Sequence, residues 1–220
     1  MTSSLEFVWE YREETLYRRL FGDRNRGTFP LTADTFAAFN QHDIDPRWLF
    51  LGVLEFQPCG TRRSWLYVTS GGSNPWDTEP DDYSAEAYSG LGIEYVLETP
   101  TSCDWAVLAL QRLLAYHVLV SHERFEGYTT PDYGYRIPAG GPLDNAASAL
   151  RYFAVARPQH YANSAVLNSG RFDFLHVIGI TETECDWARA TSTEALIERL
   201  TKRGYAPMTS PARAELTDLS

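Results

Sequence analysis

Two runs of the chain, Trp65-Leu66-Tyr67-Val68-Thr69 and Ile93-Glu94-Tyr95-Val96-Leu97, are dense in β-branched and aromatic residues that suit a pleated surface. Everything between them is polar and broken by Gly71, Gly72, Pro75 and Pro80. A sheet that takes both runs must accommodate a long connection with no apolar period of its own, and such connections usually carry function. The charge of the region is as unusual as its length. From Ser64 to Gln111 there are eight acids (Asp77, Glu79, Asp81, Asp82, Glu86, Glu94, Glu98 and Asp104) and no Lys or Arg, in a chain of 220 residues with net charge −10. Any function has to account for a strand pair that carries an acidic loop.

The other elements arrange themselves around that pair. Ser3 or Ser4 is placed to cap a first helix reaching about Phe21, with Leu5, Val8, Trp9, Leu16 and Leu20 roughly on one side and Gly22 as its stop. Thr32 or Asp34 opens a short helix carrying Phe36 and Phe39, and Asp45-Pro46 breaks the pattern. Trp48 to Phe56 (WLFLGVLEF) is apolar on both faces and reads as a central strand, turned by Pro58-Cys59-Gly60 into a hairpin with Trp65–Thr69. Thr101 and Asp104 have capping-box spacing ahead of a helix to about Ser121, apolar nearly all round and therefore buried. His122 to Ser148 is irregular. Tyr152 to Ala156 and Phe172 to Ile180 read as strands, and Thr181 with Glu184 and Thr191 with Glu194 as capping boxes of two short helices. Gly204 ends the last of them, and the thinly apolar tail adds an edge strand or frays. Strands interspersed irregularly with helices predict an α+β domain, a central mixed or antiparallel sheet flanked by helices. The expected organisation is an N-terminal helix (1–27), the main domain (28–205) and a tail (206–220).

Chemical motifs are sparse. Ser70-Gly71-Gly72-Ser73 lacks the lysine of a phosphate-binding loop and reads as a tight strand exit. The histidines (His42, His117, His122, His160, His176) form no HExxH pattern, and His176 sits among strand residues as a core histidine. Cys103 has no nucleophile signature. Glu94 and Glu98 are two pleat repeats apart, roughly 13 Å, too far to work as a carboxylate pair, so Glu94 is expected to pair with Arg or backbone N–H groups. No catalytic residue, metal or cofactor is expected. A pI near 4.9 disfavours nucleic acid and anionic membranes, which need a positive footprint, and favours a basic protein partner. Three cysteines without pair spacing, and an N-terminus without a secretion pattern, point to the cytoplasm.

Several blocks in order resemble the suppressor of fused family: Trp65 to Ser73, Ser89-Gly90-Leu91-Gly92-Ile93-Glu94-Tyr95, the Trp105 helix, Ile137 with Pro142-Leu143-Asp144-Asn145, and Phe174 to Glu182. They stand at family-like spacings from about Trp48 to Gly204. The resemblance implies an α+β fold without catalytic activity. Animal members of the family hold a transcription factor by a short peptide, and bacterial members look like immunity proteins that neutralise partner toxins. The second domain with which animal members clamp the peptide is not expected in this chain. In the animal pattern the loop after the first of these strands supplies an aromatic and an acidic residue, matched here by Trp76 and Glu86. The residues implicated in partner binding are therefore Trp76, Asp81, Asp82, Tyr83 and Glu86, and the implied function is an immunity protein against a basic toxin. The alternatives are a regulator that sequesters another protein, or an enzyme with a small-molecule substrate in a loop-lined cleft.

Overall fold

The computed structural model describes residues 4–218, and Ser3, one of the two proposed first caps, lies outside them. The first helix is continuous but not uniform: α1 (Ser4–Glu10) passes through a π-helical segment, Tyr11–Tyr17, into α2 (Arg18–Phe21). The wider turn points Arg12, Leu16 and Tyr17 inward together. Gly22 ends the run in a positive-φ conformation, as its position suggested.

Eight strands form one sheet in the order β1-β2-β3-β4-β8-β6-β5, with β7 paired to β8. They are β1 (Phe29–Pro30), β2 (Gly52–Phe56), β3 (Trp65–Ser70), β4 (Tyr88–Thr99), β5 (Arg136–Pro138), β6 (Leu150–Ala156), β7 (Ser164–Leu167) and β8 (Gly170–Thr181). The pairing of β4 with β8 is parallel and every other pairing antiparallel, so the expected mixed sheet is present. The predicted β2–β3 hairpin is in register from Gly52–Ser70 to Phe56–Leu66.

Both faces of the sheet are covered, which explains why its strands read as continuous apolar runs. On one face α4 (Asp104–Ser121) packs Ala106, Leu110 and Leu113 onto Val53, Tyr67, Tyr95 and Leu97. On the other, Val8, Leu16, Tyr17 and Phe21 meet Leu54, Phe56, Val68, Val96 and Phe174. Helices α5 (Glu182–Ala190) and α6 (Thr193–Lys202) cover the β6–β8 end through Cys185, Leu196 and Leu200 against Ala154, Ile178 and Ile180. The short α3 (Ala33–Ala37) has a Thr32–Thr35 capping box and lays Phe36 beside Trp48 and Leu114. The tail does not fray: Thr209, Arg213 and Leu216 are buried, and Met208 bridges Glu98 in parallel.

Three local expectations are corrected. Trp48-Leu49-Phe50 does not begin a central strand; Pro46–Phe50 is a 3-10 turn started by Asp45, whose carboxylate accepts from the Arg47 N–H, and β2 lies next to the edge strand β1. Helix α4 is not capped by Thr101 and Asp104: its N-cap is Cys103, and the Asp104 carboxylate instead accepts from Arg26 at 2.7 Å. Likewise Ser192 rather than Thr191 caps α6, its hydroxyl oxygen accepting from the Ala195 N–H. The Thr181–Glu184 capping box on α5 is present.

Candidate functional site

The acidic loop leaves β3 at Ser70, and its base is fixed from within. Glu94 of β4 is fully buried, and its carboxylate accepts from the Gly71 and Ser73 N–H groups, both at 3.0 Å, from the Ser73 hydroxyl at 2.7 Å and from Thr69 Oγ1 at 2.5 Å. The Ser-Gly-Gly-Ser turn is thus an anion cradle whose anion is the protein's own carboxylate. Gly72 is required there because a Cβ would stand 2.4 Å from the Ile93 carbonyl oxygen. The π-helical segment delivers Arg12, 1% exposed, against the same turn. Its guanidinium donates to Ser70 Oγ at 2.8 Å, Ser73 Oγ at 3.0 Å and Asn74 Oδ1 at 2.7 Å, and lies 3.9 Å from Glu94. A buried cation and a buried anion from distant parts of the chain therefore share one strand exit, each with neutral partners that satisfy most of its hydrogen-bonding groups.

Beyond this base the loop turns outward. Trp76 is half-buried and stacks edge-on against Trp9 of α1, ring centroids 5.8 Å apart, while Phe50 of the 3-10 turn lies 6.0 Å from Trp9 and 6.5 Å from Trp76. Trp9 is itself tied to the loop by its indole N–H, which donates to Asn74 Oδ1 at 2.8 Å. Phe50 is 65% exposed and Phe7 53%. Arg47 lies over the Trp76 ring and pairs with Asp77 at 3.1 Å, joining the 3-10 turn to the loop. The result is an exposed aromatic patch built from three separate stretches of chain, with Asp77, Glu79, Asp81 and Asp82 exposed on the loop that follows it.

The five implicated residues are not equivalent. Asp81 and Asp82 occupy an exposed turn, Pro80–Asp82, and Glu86 is exposed on the return toward β4. Tyr83 faces inward, packed against the core of the first helix, so it anchors the loop rather than extending the patch. Trp76 alone joins the aromatic cluster. Phe50 and Trp9 were missed by sequence reasoning because an apolar run and an amphipathic helix both account for them as core. The available signal was Asp45-Pro46, a turn opener immediately before Trp48.

Other titratable groups are held by the fold. His117 shares a hydrogen bond of 2.9 Å with the Tyr95 hydroxyl, and burial pushes its pKa down to about 4 against a weak opposing pull from Asp132. Burial alone would raise the Glu55 carboxyl, but hydrogen bonds from Arg26, Ser102, Asn25 and Tyr67 outweigh it and hold the pKa at about 2. Among the described residues no three His, Cys, Asp or Glu side chains converge as a metal site, and no helix is long and apolar enough to cross a membrane. A cavity of about 440 Å³ opens beside α4, and none of its lining residues belongs to the acidic loop.

A family profile described as Suppressor of fused protein (SUFU) matches residues 48–214. No curated protein is significantly similar in sequence. Among solved structures, a chain of the Sufu–Fu complex superposes with a TM-score of 0.67 at 13% identity, over 97% of this chain and 92% of that one. A protein of Neisseria gonorrhoeae FA 1090 described as a suppressor of fused homologue gives 0.60 at 18% identity, over 95% of this chain and 97% of its own. Drosophila Suppressor of Fused gives 0.59 at 14% identity, over 83% of this chain and 49% of its own, so this chain spans about half of that protein.

Proposed function

We propose, because this chain belongs to the suppressor of fused family, that it works by binding a partner protein, on the surface where Trp76, Trp9 and Phe50 meet the acidic loop. The observation that carries this reading is the exposure of Phe50 within an aromatic cluster that the protein organises with a cation, a carboxylate and an indole hydrogen bond. Isolated apolar residues on a surface need no explanation, but a contiguous patch bordered by charge is how interaction sites are built. The crystallised Sufu–Fu complex is a precedent for this fold holding a protein. The exposed acids of the loop, Glu79, Asp81, Asp82 and Glu86, suit a basic partner. Their summed field accelerates encounter with a basic protein, while the aromatic anchors supply the affinity that charge does not.

The specific role we favour is that of an immunity protein that neutralises a basic toxin by direct contact. A regulator that sequesters a basic protein would use the same surface. The role is non-catalytic: Glu94 is saturated by four donors, and buried His117 is engaged by Tyr95, so neither is available as a base.

The test is affinity capture from the native host, with the wild-type chain and the double variant Asp81→Lys, Asp82→Lys as parallel baits. A basic protein enriched on the wild type and lost on the charge-reversed bait is expected, and co-expression should then relieve its toxicity. Equal enrichment on both baits would place the partner elsewhere. A captured protein without toxicity would favour the regulator.

A further inference from the structure

The cavity beside α4 is unconnected with the acidic loop, and its chemistry is the reverse of the loop's. One wall is a stripe of α4 at helical spacing, Trp105, Leu108, Ala109, Arg112 and Tyr116, each half-buried or exposed. The other wall is the segment around β5, including Ile137, Pro142 and Leu143. The floor is apolar. The volume of about 440 Å³ lies within the range of small-molecule sites, roughly 300–1,000 Å³. At about 30 Å³ for each water- or methylene-sized group, it holds roughly fifteen of them. In a chain of net charge −10 no Asp or Glu lines this space, and the one ionised side chain on its wall is Arg112. Arg112 is exposed and makes no hydrogen bond or ion pair with any described residue.

We infer that this cavity binds a small amphiphile, a linear or branched apolar body bearing a single carboxylate, with Arg112 receiving the carboxylate. A planar guanidinium matches a carboxylate through two parallel N–H···O bonds, and one cation with no neighbouring acid suits one negative charge. The apolar body occupies the space between Leu108, Ala109 and Leu143, where a polar ligand would leave hydrogen-bonding groups unmatched. The concavity is sized for a ligand of this kind rather than for a partner helix, which needs an extended groove. This site is independent of the protein-binding surface proposed above.

Dodecanoate, below its micellar concentration, and dodecanol as the uncharged counterpart are titrated into the full chain by calorimetry, with intrinsic tryptophan fluorescence, compared with that of Trp105→Phe, as a second readout. The expected result is saturable binding of one dodecanoate per chain, at least tenfold tighter than dodecanol. Arg112→Gln should remove that difference while leaving dodecanol binding unchanged. Ala109→Trp, which fills the cavity, should abolish both, with circular dichroism unaltered; the exposed position Leu108→Trp serves if Ala109→Trp does not fold. Capture of a protein partner should be unaffected by any of these changes, so failure here and failure of the loop site are separable. Equal affinity for acid and alcohol, non-saturable uptake, or indifference to Arg112→Gln would overturn the proposal. So would a change from dimer to monomer in the cavity-filled variant, which would show that a second copy covers this face.

Discussion

Arg12 reaches the turn at Ser70–Asn74 from 58 to 62 positions away in sequence, and beyond its three neutral acceptors it has two purely electrostatic partners, Glu94 and Glu13, each at 3.9 Å. Arg12→Met keeps much of the volume and removes the charge, leaving the Glu94 carboxylate buried without its cation. The expected loss is about 3–5 kcal/mol in urea unfolding, the range for breaking a buried pair from one side. A loss below about 1 kcal/mol would mean that the four hydrogen bonds to Glu94 already neutralise it. His117 gives a pH signature. Its folded pKa, about 4, lies below the ordinary 6.5, so between these values the unfolded chain binds a proton that the folded chain refuses. Stability is therefore present in full above pH 6.5 and lost as pH falls toward 4; His176, lowered mainly by burial, adds in the same direction. Glu55 acts in a more acidic window: its stabilisation is present above the usual 4.5 and is lost as pH falls from there toward 2. Urea midpoints should be flat between about pH 7 and 8 and decline below that in these two stages, the first weakened in His117→Gln.

The acidic loop is positioned by its two ends. Gly90 has φ +59°, and a Cβ there would meet the Asn74 carbonyl oxygen at 2.2 Å. Gly90→Ala therefore strains the backbone and pushes the loop's return strand off its departing strand; about 1–3 kcal/mol of lost stability is expected in denaturant unfolding. Helix α4 is the core element on the opposite face, and Leu110→Ala or Leu114→Ala should cost about 2–5 kcal/mol, with slow amide exchange along the helix in the wild type. The elements with strong local signals were legible in the sequence: the β2–β3 hairpin, β4, α4 and the capped α5. Elements set by distant partners were not. Strands β5 and β7 are three and four residues long and exist because β6 and β8 offer them edges. The 3-10 turn at Trp48 was hidden because an apolar run reads alike whether it extends or coils. At the candidate site the acids and Trp76 were visible, as was an Arg or backbone partner for Glu94. The identity of Arg12, and the assembly of Trp9, Phe50 and Trp76, depend on folding contacts that no local pattern encodes.

At the scale of the molecule, the charge of the chain is divided between its surfaces. The acidic loop lies beside aromatic anchors, while the α4 cavity carries a lone arginine and no acid. If the loop steers a basic partner, Asp81→Lys with Asp82→Lys should slow association and flatten its dependence on salt, with fold stability unchanged. Trp76→Ala or Phe50→Ala should instead speed dissociation, by about 2 kcal/mol or more for a hot spot. The most direct test of the account is amide hydrogen exchange on the chain with and without its captured partner. The account predicts that protection appears in residues 74–89 and in the turn 46–50, and that it is lost in Trp76→Ala. Protection confined to α4 and 136–145, or to α5 and α6, with the acidic loop exchanging as in the free chain, would contradict it.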